Sequence, residues 1–90
     1  FYGDALVFKH LESSSIRLSN DQSKHGFIFS WAEFPYMGIW SAKDAPFVCI
    51  EPWCGIADSV LATGELREKE GMILLTPGQN TARTWSVELY

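Results

Sequence analysis

The chain has 90 residues, 47% hydrophobic and 14% aromatic, with a formal net charge of −4 and a pI near 4.9. That length fits one small domain or a piece of a larger one. The acidic balance excludes the basic face that a nucleic-acid backbone demands and the polybasic surface that an anionic membrane attracts. No apolar run approaches the roughly 20 residues needed to span a bilayer.

The start, Phe1-Tyr2-Gly3-Asp4, carries neither an initiator Met nor the basic and apolar regions of a signal peptide, and reads as an internal start. Residues 5–9 form a short strand candidate. Residues 15–19 alternate polar and apolar and predict a half-buried strand, followed by the turn Asn20-Asp21-Gln22-Ser23. Residues 26–31 are aromatic and β-branched, a further strand. Pro35 and Gly38 punctuate the next piece, with a short extended segment expected at 38–41. Residues 47–51 read as a buried strand. Residues 58–69 are polar and read as a long loop with room for one helical turn. Residues 71–75 are expected as a strand stopped by Pro77-Gly78, and residues 84–90 alternate cleanly as the last strand. Strands recurring about every ten residues, with no sustained helical period, predict an all-β sandwich or barrel. Open sheet edges in so short a chain invite pairing with further polypeptide or with another copy, so a homo-oligomer is one expectation.

Glu51 ends the apolar run Phe47-Val48-Cys49-Ile50 and is followed by Pro52-Trp53-Cys54-Gly55, a combination that closes a strand and opens a loop. A carboxylate at a strand end beside an indole suits a sugar. The ring offers a platform to C–H groups and the carboxylate accepts hydroxyl protons. Glu51 is the first candidate for a general base, since reduced water access would raise its pKa toward a useful range. The alternative is a carboxylate paired with an Arg or a backbone amide. Asp4, at the entry of the first strand, could accept sugar hydroxyls or serve a turn or cap. Asp58 has the same two readings. The aromatic set Phe34, Tyr36, Trp40 and Trp53 clusters at loop signals, where rings serve either a core or a sugar site. Trp53 is singled out because it adjoins Glu51.

His10 and His25 stand in exposed strand-end or turn contexts without metal-ligand spacing. Cys49 and Cys54 form a C-x4-C pair that matches no common zinc pattern, and Cys49 reads as a small core residue. No metal or cofactor is expected. The mixed run from Glu65 to Glu70 reads as a solvated loop face. A Gly-rich phosphate loop and a nucleophile elbow are both missing from the sequence.

Four blocks carry a resemblance. They are Phe34-Pro35-Tyr36-Met37-Gly38-Ile39-Trp40-Ser41; Ala45-Pro46-Phe47-Val48-Cys49-Ile50-Glu51-Pro52-Trp53-Cys54-Gly55-Ile56-Ala57-Asp58-Ser59; Gly64-Glu65-Leu66; and Lys69-Glu70-Gly71-Met72-Ile73-Leu74-Leu75-Thr76-Pro77-Gly78. In this order they resemble the C-terminal third of bacterial aldose 1-epimerases, most closely the LacX-type branch of galactose-mutarotase-like proteins. The resemblance extends over almost the whole chain. It implies that residues 1–90 are the C-terminal part of a galactose-mutarotase-like β-supersandwich. The implied activity is the cofactor-free interconversion of the α and β anomers of a hexose. A cytoplasmic placement is expected separately, from cysteine usage and the lack of a visible signal.

In that family a Glu in the block matched by Glu51 removes the proton from the anomeric hydroxyl, and a His from an earlier part of the chain protonates the ring oxygen. The resemblance therefore implies that the remainder of the same polypeptide, N-terminal to this chain, supplies the acid. It adds weight to Asp4 as a sugar-binding carboxylate, and less to Asp58. Neither His10 nor His25 falls in a matching motif, and Cys54 stands where this branch leads one to expect an aromatic. A non-catalytic carbohydrate-binding or regulatory protein on the same fold is the alternative function, and a β-sandwich piece with no sugar role is the third.

Overall fold

The computed structural model describes residues 5–90, which are all-β and make two antiparallel three-stranded sheets. Strands β1 (Leu6–Lys9), β4 (Tyr36–Trp40) and β5 (Cys49–Trp53) form the first sheet in the order β1-β4-β5. Strands β2 (Ser15–Ser19), β3 (Gly26–Ser30) and β6 (Ser86–Leu89) form the second in the order β2-β3-β6. A 3-10 turn at Leu66–Glu68 interrupts the long connection from β5 to β6. No helix among the described residues is long and apolar enough to cross a membrane.

The period-two alternation of β2 and β3 dictates their pairing. Ile16 lies opposite Phe29 and Leu18 opposite Phe27, so one face of the hairpin is apolar. Its turn is closed by side chains: Asn20 Oδ1 accepts the Gln22 N–H at 2.9 Å, and Ser23 Oγ accepts the His25 N–H at 3.0 Å. Phe29 and Trp31 from this sheet meet Met37 from the other to make the core, with Ile16, Phe27, Ile39 and Ile50 packed around them. Met37 and Ile39 of β4 and Ile50 of β5 therefore point inward. By the same alternation Tyr36, Gly38, Trp40, Glu51 and Trp53 point to the opposite face of the first sheet.

Several expectations are corrected. The fourth strand begins at Tyr36, two residues before the segment expected at 38–41. The fifth runs through Pro52 to Trp53 and is half-buried, so Glu51 sits at its centre and not at its end. Pro52 is tolerated because β5 is an edge strand, where a missing N–H need break no ladder bond. Cys49 lies opposite Trp40 on the face away from the core and is a free, half-buried thiol, not a core residue. Residues 71–75 form no strand among the described residues. Residues 72–75 are apolar, but no strand among the described residues pairs with them, and Leu74 remains 65% exposed.

The sandwich is less compact than a globule of its length. Its radius of gyration is 16.0 Å, against about 12 Å for a compact chain of this length. Val60, Leu61 and Leu89 are largely exposed. Apolar surface on this scale asks for a cover.

Candidate functional site

The outer face of the first sheet carries the candidate site. Glu51 on β5 lies opposite Gly38 on β4, and Trp53, two residues on, lies opposite Tyr36. These four positions share a face. The Trp53 indole Nε1 donates to Glu51 Oε2 at 3.3 Å. The indole can lie there because Gly38 has no side chain: a Cβ built on Gly38 would sit 2.9 Å from Trp53 Cζ2 and 3.0 Å from Cε2. Gly38 thus leaves a slot for the ring that steadies the carboxylate. Glu51 Oε1 makes no hydrogen bond among the described residues, so these residues hold only one of the two carboxylate oxygens. Among the described residues the donor to Glu51 is an indole, and neither an Arg nor a backbone amide.

A second polar group lies one row along the same face. Lys9 on β1 lies opposite Tyr36, which brings Lys9, Tyr36 and Trp53 into one line across three strands. Glu70, expected as part of a solvated loop face, is exposed and also reaches this line. Lys9 Nζ donates to Glu70 Oε1 at 2.8 Å, and the Tyr36 hydroxyl donates to the same oxygen at 3.4 Å. The hydrogen bond from Lys9 holds the Glu70 carboxyl below its usual range, and Glu70 raises the Lys9 ammonium above its own.

Gly71 sets the path of the chain that delivers Glu70. Its φ is +85°, and a Cβ there would meet Gly55 Cα at 2.8 Å, Cys54 O at 2.9 Å and Tyr36 Cε2 at 3.1 Å. Only glycine meets both demands, the left-handed backbone and the close approach to the loop after β5. A cavity of about 320 Å³ opens beside this group, with Lys9, His10, Phe34, Tyr36 and Glu70 in its wall.

The other expected residues fall elsewhere. Asp58 is ion-paired with Lys69 at 3.6 Å and is not joined to Glu51 or Trp53. Asp4 lies outside the described residues. His25 Nδ1 is 3.3 Å from the Tyr90 carbonyl, at the far end of the second sheet. Trp40 shares the face of Glu51 and packs against Phe47, ring centroids 5.9 Å apart. Phe34 packs against the core. Among the described residues, no three or more His, Cys, Asp or Glu side chains gather as a metal ion would require.

The fold and site together define the chain as an all-β sandwich piece with an acidic and aromatic sheet face. No family model matches it, and no solved structure matches it. It is homologous to two LacX proteins of Lactococcus lactis subsp. lactis, one chromosomal and one plasmid-borne. Each is 26% identical over 90 residues, 99% of this chain. The chain spans 30% of the length of these curated relatives.

Proposed function

We propose that this chain supplies the base of an aldose 1-epimerase, in which a longer polypeptide interconverts the α and β anomers of a hexose. The observation that carries the reading is the Glu51 carboxylate on a half-buried sheet face, held through one oxygen by Trp53, with the other making no hydrogen bond among the described residues. In this reading Glu51 takes the proton from the anomeric hydroxyl while an acid protonates the ring oxygen. The bond from the anomeric carbon to the ring oxygen breaks and an aldehyde forms. The carbonyl turns its other face, the hydroxyl re-adds, and both protons return. No net redox change occurs and no cofactor is consumed. Trp53 plays two parts: it fixes the base, and it offers an apolar surface to the C–H groups of the ring.

The acid is assigned to the remainder of the polypeptide. The resemblance to aldose 1-epimerases supports this, as does the share of the LacX length that this chain covers. The exposed apolar residues and the unpaired run at 72–75 are the surface on which that remainder would pack. Polarimetry of freshly dissolved α-D-galactose and α-D-glucose with the full-length protein tests the reading. Faster approach to equilibrium supports it. Saturable binding without acceleration moves the function to carbohydrate binding.

A further inference from the structure

We infer that Lys9, Tyr36 and Glu70 form a second hydroxyl-binding subsite on the sheet face of Glu51, taking a vicinal diol at the end of the sugar remote from the anomeric carbon. The inference rests on the sugar reading of Glu51 and adds residues that the reading does not require.

Placement is the first support. Tyr36 is the diagonal neighbour of Glu51 across the β4–β5 pair, and such positions lie about 7–8 Å apart. Lys9 stands one strand further along the same row, another spacing of about 4.8 Å. A single pyranose with its exocyclic hydroxyls bridges that reach.

Chemistry is the second. A diol both donates and accepts. Glu70 offers an acceptor, because both of its hydrogen bonds fall on Oε1 and Oε2 makes none among the described residues. The Lys9 ammonium offers spare donors, and the Tyr36 phenol offers both roles. The Lys9 charge is balanced by Glu70 at 2.8 Å, and Glu12 also lines the cavity. That charge set favours an uncharged hydroxyl pair over an anion.

Construction is the third. Glu70 and Lys9 lie far apart in the chain, and Gly71 pins the loop between Gly55 and Tyr36. His10 at the cavity wall holds φ at 53°. A non-glycine residue in that region costs about 1 kcal/mol or more, and such strain concentrates at ligand sites.

The test is a split between kcat and KM in the full-length protein with D-galactose and D-glucose, using Glu70→Gln, Tyr36→Phe and Glu51→Gln, each checked by circular-dichroism melting. Tyr36→Phe removes one oxygen and keeps the ring, so it reports even where Glu70→Gln fails to fold. Expected is a KM raised about tenfold in Glu70→Gln and severalfold in Tyr36→Phe, since a bond to a charged group is the stronger one, with kcat within about twofold. Glu51→Gln should do the reverse, losing kcat while sugar binding by calorimetry persists. Sugar turned over or bound with KM unchanged in both subsite variants overturns the inference and leaves the reading of Glu51 standing. No binding of either sugar by the wild type overturns both.

Discussion

Replacing Gly38 by alanine should disable the candidate base without touching it. The added Cβ would lie 2.9 Å from Trp53 Cζ2, whereas carbon atoms settle about 3.5–4.0 Å apart. The indole must therefore retreat by about 0.6–1 Å. Its hydrogen bond to Glu51 Oε2 is 3.3 Å long at the start, and a retreat of that size takes it past the useful range. Losing such a bond costs about 1 kcal/mol, roughly fivefold in rate. A displacement near 1 Å at a reacting group can cost about 100-fold. The expected fall in kcat lies between these limits. Overpacking of about 1–3 kcal/mol is partly offset by about 0.5–1 kcal/mol from removing a glycine in a strand, so the fold should survive. Polarimetric kcat of Gly38→Ala, Trp53→Phe and the double variant forms a closed cycle. Phenylalanine lacks the outer ring that clashes, so Gly38→Ala should cost little on the Trp53→Phe background. A kcat for the single Gly38→Ala variant within twofold of wild type would refute the slot that Gly38 provides.

Other outcomes follow from the same geometry. Gly71→Ala should lower the melting temperature more than Gly64→Ala. Both have φ near +85 to +88°, but only Gly71 has backbone within 3 Å of the new Cβ, whereas Gly64 has nothing within 4 Å. The Lys9–Glu70 contact should show a signed pH dependence. Glu70 is depressed below its ordinary value of 4.5, so its stabilising share is present above that value and lost as pH falls through the depressed one. Lys9 is raised above 10.5, so its share is present below 10.5 and lost as pH rises through the raised value. An NMR titration that found the Glu70 carboxyl at or above 4.5 would contradict the contact. The isolated 90-residue chain should bind a hydrophobic dye and associate on size-exclusion chromatography, because Val60, Leu61 and Leu74 are exposed. A monodisperse monomer that binds no dye would contradict the account of its uncovered surface.

The strands with clear alternation were legible in the chain. Ile16 and Leu18 spaced by Arg17 announce β2, and Val87 and Leu89 spaced by Glu88 announce β6. The extension of β5 through Pro52 was not, because proline ends a strand by local rules, and only its place at a sheet edge makes it harmless there. Residues 71–75 have the composition of a strand, but strand formation needs a partner, which no local pattern reports. Glu51 and Trp53 could be paired from their spacing of two, since alternate residues share a face. The role of Gly38 could not, because it depends on cross-strand register. Glu70 was hidden among charged neighbours, and its contacts with Lys9 and Tyr36 come from tertiary folding, not local pattern.

The most direct measurement is anomer exchange by proton NMR on equilibrated D-galactose, comparing the full-length protein with its Glu51→Gln variant. The account predicts magnetisation transfer between the α and β anomeric signals with wild type, and none above buffer with the variant while the sugar still binds. Equal exchange rates for the two proteins would contradict Glu51 as the base.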